Sequence, residues 1–564
     1  MTRRPPRAER RRRQRRAPQE QPSRLPDRTD TRSAPWIWAV VLLVLVFAAS
    51  IRLRLLEVPL ERDEGEYAYV GQLILQGIPP YRLAYSVKFP GTSAVYAAIM
   101  AVFGQTSAGI HAGLLIVNTA TILLVFLLGR RLLNARAGAV ASASYAVLSL
   151  SPSVLGTAGH ATHFVVLPAL AGMLLLLVAL EFRSPLAIMG SGLLVGLATL
   201  MKQSGAFFIV FAVAYLLWHE RVIGKVPWTG CVARAALLAS GAAVPLGVMC
   251  LTLVWAGVFD EFWFWTVSYG RAYGSEFGLS DAIRSVRGNI PLVLSGSWPL
   301  WALGGLGLSA LSRCGNPFRS AVFLVGFSIS SFLAVCPGFY FRQHYFILLL
   351  PAVALLSGMA VRSGTVLLSH KSLPAVVRYA PVLLFLAAIS YSIWAHWEFF
   401  FRMSPQVAAR WMYSVNPFPE SIEVSRYIRG HSKAEDRIAV IGSEPQIYFL
   451  SGRRSATGYL YTYALMEAQP YAVQMQREMI GEIERARPEF LVGVNVPFSW
   501  LPKAHSQMLI VDWAKSYVAQ HFQLVGVVDI VSRWQTEYRW DDAATTYAPR
   551  SRNVLLVYRR KGLT

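Results

Sequence analysis

Between two hydrophobic segments near the N-terminus, the chain carries the acidic stretch Leu60-Glu61-Arg62-Asp63-Glu64-Gly65-Glu66-Tyr67. Ionisable side chains at membrane depth are costly to desolvate, and they are usually retained for a function. The flanking segments indicate that this stretch lies at the mouth of a protein that crosses the membrane several times. Its carboxylates are therefore the first candidates for chemistry.

The composition indicates an integral membrane protein. Of the 564 residues, 54% are hydrophobic and only 15% are charged, which is unusual for a soluble domain. Long apolar runs recur from Trp36 to about Trp397, and the remaining stretch returns to the charge density of a soluble domain. We predict a polytopic α-helical membrane protein with a C-terminal extracytoplasmic α/β domain, divided at residues 1–34, 35–397 and 398–564.

Eleven membrane spans are predicted from the apolar runs. Several are shorter than the roughly 20 residues that a straight helix needs to cross the hydrocarbon core, so flanking residues or a locally thin bilayer must complete them. The predicted spans cover residues 35–52, 107–128, 137–151, 162–180, 186–201, 204–218, 232–257, 291–311, 319–336, 345–361 and 379–397.

The orientation follows from basic residues in the short loops, which the positive-inside rule assigns to the cytoplasm. With the N-terminus inside and an odd number of spans, the loop of Asp63 and the C-terminal domain lie outside. This predicts a multi-pass protein of a bacterial-type plasma membrane. The basic residues lie in every second connection between spans, so all of them belong to one face of the membrane. They are Arg130, Arg131 and Arg136, then Arg183, then Arg221, Lys225 and Arg234, then Arg313 and Arg319, and then Arg362, Lys371 and Arg378.

The net charge of +23 does not indicate a nucleic-acid partner. Residues 1–34 hold twelve arginines and four acids, which is typical of a disordered cytoplasmic tail beside anionic lipid headgroups. The cysteines predict no disulfide framework or thiolate zinc site in the outer C-terminal domain. All four precede it, at Cys231, Cys250, Cys314 and Cys336.

Two outer loops are long. In the first, residues 53–106, an apolar stripe at Tyr67, Val70 and Ile74 predicts an interfacial helix, and a second short helix is predicted over residues 92–103. The second loop, residues 258–290, is rich in aromatic side chains. These suit either the membrane interface belt or contact with a sugar or polyprenyl chain.

The C-terminal region alternates helix-like and strand-like segments, as an α/β domain does. Helices are predicted at residues 421–430, 475–486 and 510–522, and strands at 437–441, 490–494, 524–531 and 554–558.

Asp63 has a structural and a functional interpretation. With Glu66 three residues later, it matches a helix cap and its reciprocal acid. The functional interpretation comes from the basic residues Lys88, Lys202 and Arg342, which face outward against the charge rule. Such exceptions either bind anions or extend to lipid headgroups. A carboxylate opposite several cations suits group transfer from a lipid-linked phosphate, because the acid can take a proton while the cations neutralise the departing phosphate.

A metal site is a further hypothesis. His160 and His163 are three residues apart near an outer helix end, and two such histidines can ligate a divalent ion from one helical face. Ordinary hydrogen-bonded histidines or a polar cavity lining explain the same pair.

At these residues the chain resembles the GT-C membrane glycosyltransferases, in the branch of protein O-mannosyltransferases and lipid A aminoarabinose transferases. The resemblance covers most of the membrane part. It rests on Arg62-Asp63-Glu64-Gly65-Glu66-Tyr67-Ala68-Tyr69, Gly77-Ile78-Pro79-Pro80-Tyr81, Lys88-Phe89-Pro90-Gly91 and Val102-Phe103-Gly104, with support from Gly196–Lys202 and from Arg342-Gln343-His344-Tyr345 running into Leu349-Leu350-Pro351.

The resemblance implies a sugar donor on polyprenyl phosphate, inversion at the anomeric centre, and a lipid, glycan or protein acceptor. Asp63 then corresponds to the catalytic base with Glu64 beside it, and Lys88 to the donor-phosphate contact. Lower-ranked phosphate contacts are Lys202, Arg271 and Arg342, and the expected cavity lining is Tyr67, Tyr81, His160, His163, His344 and Tyr345.

The chain departs from the aminoarabinose transferases near Lys88. They have an acid before the loop lysine and a Lys-Pro-Pro run, where this chain has Val87 and Lys88-Phe89-Pro90. A divalent metal and a lipid A acceptor are therefore not implied with the fold. Two alternatives stay open, namely a secondary transporter of an anionic or amphipathic solute, although no repeat typical of transporters is evident, and a scaffold that carries a binding module.

Overall fold

The computed structural model describes residues 34–311 and 318–562. The predicted Arg-rich tail, apart from Ala34, lies outside the described residues, as do Arg313 and Cys314.

The membrane part is built from long apolar helices. Within the described residues, eight helical segments are long and apolar enough to cross a membrane, namely Pro35–Arg54, Ser107–Leu132, Ala161–Phe182, Gln203–Ile223, Trp228–Trp255, Phe318–Val335, Leu350–Leu367 and Ala375–Ala395. The other three predicted spans fall on shorter helices, Ala135–Leu150, Pro185–Met201 and Trp298–Ala310. The total of eleven spans stays a prediction.

One predicted span has the wrong bounds. Residues 291–311 were expected to form one helix, but the chain forms Leu279–Leu294 and Trp298–Ala310 with a turn between them. Gly296 in this turn has a φ of +70°, a backbone conformation that glycine adopts without strain and that cannot continue a helix. The first of the two helices carries acidic and basic residues, and all but its last four residues lie before the predicted span.

Short helical segments connect these elements. The first outer loop contains the two expected helices, Arg62–Leu75 and Gly91–Phe103. The second loop forms Phe259–Trp263, a π-helical turn at Phe264–Tyr269, and Gly270–Gly274. Further short turns span Pro152–Val154, Gln203–Gly205, His219–Ile223, Pro337–Phe339 and Gln343–Leu348.

The C-terminal region folds around a mixed six-stranded sheet. The strands are β1 Arg437–Ile441, β2 Arg454–Ser455, β3 Phe490–Asn495, β4 Phe522–Ser532, β5 Gln535–Trp540 and β6 Val554–Arg560, in the order β2-β1-β3-β6-β4-β5. Strand β1 pairs in parallel with β2 and β3, and the remaining pairs are antiparallel. The sequence prediction placed β1, β3, β4 and β6 and missed the short β2 and the exposed β5.

Helices flank this sheet and lead into it. The longer ones are Phe418–Gly430, Ala472–Ala486 and Leu509–His521. They match the predicted helices 421–430, 475–486 and 510–522, with differences of at most three residues at the ends. The shorter ones are Trp397–Phe401, Pro405–Tyr413, Gln446–Ser451, Tyr463–Met466, Pro497–Trp500 and Asp542–Thr545.

The helix Arg62–Leu75 packs directly against the C-terminal domain. Tyr69 and Tyr448 belong to one hydrophobic core, with ring centroids 5.3 Å apart. The backbone N–H of Ser455 donates to the Tyr69 hydroxyl at 2.7 Å. A Cβ atom at Gly65 would lie 2.6 Å from the backbone N of Gln446, so only glycine permits this close approach. The helix that carries Asp63 is thereby fixed between membrane part and outer domain.

Candidate active site

A cavity of about 330 Å³ opens where the first outer loop, the outer helix ends and the C-terminal domain meet. Seven of the predicted site residues line it. They are Asp63, Tyr67, Lys88, Lys202, Arg342, His344 and Tyr345.

Asp63 is held by donors from two parts of the chain. Lys88 Nζ lies 2.7 Å from Asp63 Oδ1, and the Tyr461 hydroxyl lies 3.0 Å from the same oxygen. The side chain of Asp63 keeps 17% of its surface exposed, so the cavity reaches it. Burial alone would raise the pKa of Asp63, but the charge and hydrogen bond of Lys88, together with His344 and His160, outweigh burial and hold that pKa well below its usual value. Asp63 is therefore ionised at neutral pH.

Lys88 is paired with two acids. Its Nζ lies 2.6 Å from Glu66 Oε2 as well as 2.7 Å from Asp63, and it sits 4.5 Å from the centroid of the Tyr67 ring. Burial would lower the pKa of Lys88, but Asp63 and Glu66 raise it well above its usual value. Since two carboxylates share this one cation, Lys88 holds Asp63 in place and has little charge left for a ligand.

Lys202 and Arg342 carry the uncompensated positive charge of the cavity. Among the described residues, neither forms an ion pair with a carboxylate. Lys202 Nζ lies 3.5 Å from the centroid of the Tyr345 ring, and the Arg342 guanidinium lies 5.1 Å from that of Tyr340. Burial lowers the pKa of Lys202 to about 7. An anion that enters the cavity would find both cations free to bind it.

Two histidines lie behind Asp63. The rings of His160 and His344 stack with centroids 4.1 Å apart and planes 9° apart, and His344 Nε2 lies 3.8 Å from Asp63 Oδ2. Burial lowers the pKa of both, to about 4 for His160, so both are neutral at pH 7. Asp63, His160 and His344 each offer one metal-ligating atom, and these atoms lie within 4.8 Å of one another.

Five predicted site residues lie outside the lining of this cavity, and one of them, His160, stacks on His344 as described above. Glu64 was expected beside the base, but it is buried, faces His111 Nε2 at 2.9 Å and accepts from Gly159 N. Tyr81 is buried and donates to the Lys88 carbonyl at 2.7 Å. His163 is buried in its helix, and Arg271 is exposed.

The expected Asp63–Glu66 capping pair is also wrong. Glu61 caps the helix by accepting from Glu64 N at 3.0 Å, and the Glu64 carboxylate accepts from Glu61 N at 3.2 Å. The reciprocal pair therefore lies two positions before the expected one. Because Glu61 and Glu64 form the helix cap, Asp63 and Glu66 are available to pair with Lys88.

Residues that the sequence did not single out complete the site. Glu66 was seen only as a capping partner. From the outer domain come Tyr459, Tyr461, Tyr463 and Glu467, and from the aromatic second loop come Trp265, Tyr269 and Tyr273. The Tyr269 hydroxyl donates to Glu467 at 2.5 Å, and burial raises the pKa of Glu467 to about 7. Only the aromatic density of the second loop signalled any of these contacts in advance.

Comparison with known proteins supports this architecture. Residues 87–244 match the family model described as dolichyl-phosphate-mannose-protein mannosyltransferase. The structure is similar to that of ArnT from Cupriavidus metallidurans bound to undecaprenyl phosphate, with 15% identity, a TM-score of 0.58 and coverage of 93% of this chain and 98% of ArnT. The chain therefore shares the fold of ArnT, a GT-C type structure.

A second similar structure is archaeal. The oligosaccharyltransferase AglB from Archaeoglobus fulgidus, in complex with an inhibitory peptide and a dolichol-phosphate, shares 13% identity with this chain. The TM-score is 0.53, and the match covers 90% of this chain and 74% of AglB. No curated protein matches the chain in sequence. The predicted fold class, a GT-C type helical membrane protein with a C-terminal sheet domain, is confirmed.

Proposed function

We propose that this GT-C protein is a glycosyltransferase that moves a sugar from a polyprenyl-phosphate donor to an acceptor hydroxyl at the outer face of the plasma membrane. The observation that carries the proposal is one cavity that holds an ionised, accessible Asp63 and two cations, Lys202 and Arg342, which form no ion pair with a carboxylate of the described residues. The similar ArnT structure is bound to undecaprenyl phosphate and the AglB structure is in complex with a dolichol-phosphate, which supports a lipid-linked donor for this chain as well.

The proposed reaction inverts the anomeric centre. The acceptor oxygen forms a bond to the anomeric carbon while Asp63 takes its proton, and the bond from that carbon to the phosphate oxygen breaks. The electron pair leaves with polyprenyl phosphate, whose charge Lys202 and Arg342 neutralise. A phosphate is already a good leaving group, so no general acid is needed. Lys88, which was expected to contact the donor phosphate, is reassigned to holding Asp63.

The direct test is product formation. Membranes that contain the protein are incubated with radiolabelled polyprenyl-phosphate sugars, and the labelled product is identified by chromatography and mass spectrometry. Sugar covalently attached to a lipid, glycan or protein supports the transferase. Labelled solute that accumulates unchanged inside sealed vesicles would instead support the transporter alternative and overturn this proposal.

The stacking of the two histidines does not fit a divalent metal. The rings of His160 and His344 lie in nearly parallel planes, so their in-plane lone pairs do not converge on one ion. Two features favour an ion. One metal-ligating atom from each of Asp63, His160 and His344 lies within 4.8 Å of the other two, and both ring nitrogens of His160 lack a hydrogen-bond partner among the described residues.

We therefore expect transfer to survive chelation. With EDTA in excess over divalent ions, kcat should stay within about twofold of the untreated enzyme, because Lys88 already supplies the cation beside Asp63. The measurement is the initial rate of product formation before and after chelation. A loss of activity that Mn²⁺ or Zn²⁺ restores would contradict this mechanism and assign Asp63, His160 and His344 to a metal.

Donor use should depend on the charge of Lys202. Burial lowers its pKa to about 7, so the free enzyme carries this charge below pH 7 and loses it above. The kcat/KM for the donor should therefore fall by up to tenfold per pH unit above about pH 7. The Lys202→Arg variant stays charged and should lose this alkaline limb. If the fall in kcat/KM above about pH 7 persists in Lys202→Arg, it is caused by the titration of another group, such as Glu467.

A further inference from the structure

A tyrosine of the C-terminal domain contacts the proposed base. The Tyr461 hydroxyl lies 3.0 Å from Asp63 Oδ1 and 3.0 Å from the carbonyl oxygen of Arg62. A phenol has one proton to donate, and an ionised carboxylate is a stronger acceptor than a neutral carbonyl. The hydroxyl therefore donates to Asp63, so that Oδ1 receives two hydrogen bonds, one from Tyr461 and one from Lys88.

Tyr461 is mounted on a fixed segment. The carbonyl of Gly458 accepts from the backbone N–H of Tyr85 at 2.7 Å. The Thr462 hydroxyl donates to the Ser499 carbonyl at 2.9 Å, and the Thr462 backbone N–H donates to the Ser443 hydroxyl at 2.9 Å. Because these hydrogen bonds fix Thr462, the residue that follows Tyr461, the Tyr461 hydroxyl has a fixed position. The hydroxyl therefore orients the Asp63 carboxylate.

The residue before Asp63 is held by the same domain. Arg62 Nη2 lies 2.6 Å from Oε1 of the fully buried Glu444, and the guanidinium lies 5.3 Å from the centroid of the Phe418 ring. These contacts dock the start of the helix, so their removal would disturb the fold as well as the site. The Tyr461 hydroxyl is different, because it acts on the carboxylate alone.

The two hydrogen bonds distinguish the oxygens of Asp63. Among the described residues, no group donates a hydrogen bond to Oδ2, and His344 Nε2 lies 3.8 Å from it. A half-turn about the Cβ–Cγ bond exchanges two equivalent oxygens and re-forms the same hydrogen bonds, so the oxygen at the Oδ2 position always lacks a donor. Oδ2 is thereby kept as the oxygen that accepts the proton of an incoming hydroxyl.

We propose that Tyr461 is a positioning residue, which orients Asp63 so that Oδ2 faces the reacting hydroxyl, and that the C-terminal domain thereby forms part of the catalytic apparatus. This inference rests on the proposed role of Asp63 as base. It assigns a role in catalysis to the C-terminal domain, which neither the sequence nor the similar structures indicate.

The test is Tyr461→Phe. Phenylalanine keeps the ring contacts, with Tyr463 at 5.5 Å between centroids and Lys88 at 5.4 Å, and removes only the hydroxyl. Loss of one positioning hydrogen bond is expected to lower kcat by about tenfold and to leave the donor KM within about twofold. A loss confined to KM would make the hydroxyl a donor contact and overturn the positioning role.

The matched control is Tyr427→Phe. Tyr427 also donates to an aspartate, Asp541, in the same domain and outside the cavity lining, so its kcat should stay within twofold of wild type. Equal kcat values for the two variants would overturn the positioning role. Asp63→Asn is assayed beside them, because full activity there defeats the proposed function itself, whereas an inactive Asp63→Asn with an unaffected Tyr461→Phe defeats only this inference.

A rescue variant distinguishes loss of the hydrogen bond from a folding defect. It is needed if Tyr461→Phe unfolds at a lower temperature than Tyr427→Phe. The variant carries 4-aminophenylalanine at position 461, whose amino group restores a hydrogen-bond donor at the same place. It is expected to recover at least half of the wild-type kcat. Correctly folded protein without that recovery would overturn the proposal.

Discussion

Replacing Asp63 by asparagine is expected to lower kcat for sugar transfer by about 10³-fold, the size of effect that a general base typically contributes. An amide has the shape of the carboxylate but cannot take up the acceptor proton. The helix should stay in place, because Lys88 keeps its 2.6 Å contact with Glu66 and Tyr461 can still donate to the amide oxygen. The measurement is single-turnover transfer from a radiolabelled polyprenyl-phosphate sugar, with donor binding measured separately.

The matched control for Asp63→Asn is Asp512→Asn. Asp512 is an exposed acid of the C-terminal domain that pairs with Lys515 at 3.4 Å, and such surface pairs contribute little to stability. Its substitution should leave kcat within about twofold. Activity of Asp63→Asn close to that of Asp512→Asn would rule out Asp63 as the base.

The local elements of this protein could be predicted because their signals are local. Strand β1 was predicted with the observed bounds, Arg437–Ile441, and the interfacial helix ends at Leu75, two residues before Gly77. Hydrophobic periodicity and glycine punctuation act over a few residues, so a single sequence carries them. Strand β2 has two residues and β5 has no fully buried residue, so neither produces a hydrophobic pattern that could be detected.

The pairing within the acidic stretch could not be predicted. Glu61 with Glu64 and Asp63 with Glu66 both have the three-residue spacing of a capping pair, and the two differ only in where the helix begins. The choice is made by partners distant in sequence. His111 and the backbone of Gly159 bind Glu64, and Lys88 binds Asp63 and Glu66. Only the folded chain brings these partners together.

Which basic side chains line the cavity could not be predicted from the sequence either. Arg271 and Arg342 have the same predicted position outside the membrane and the same charge, but Arg342 lines the cavity and Arg271 is exposed outside its lining. Likewise, Tyr461 reaches Asp63 across 398 residues of chain. Contacts of such separation depend on how the outer domain docks, for which a single sequence holds no signal.

The Arg342→Ala variant provides the second large test, and it uses this difference between the two arginines. In the proposed reaction, negative charge grows on the departing phosphate, so a cation beside it stabilises the transition state more than the bound donor. Since Arg342 has no acidic partner among the described residues, its charge is available to the phosphate. Its removal should lower kcat/KM for the donor by about 10²-fold, with part of the loss in kcat.

Arg271→Ala is the matched control for Arg342→Ala, because it removes the same side chain from the same outer face. Its kcat/KM should stay within about twofold of wild type. Affinity for free undecaprenyl phosphate, measured in detergent by calorimetry, should fall for Arg342→Ala and not for Arg271→Ala. Equal effects of the two substitutions would mean that the arginines act only through the general surface charge, and the phosphate would then have to bind elsewhere than beside Lys202 and Arg342.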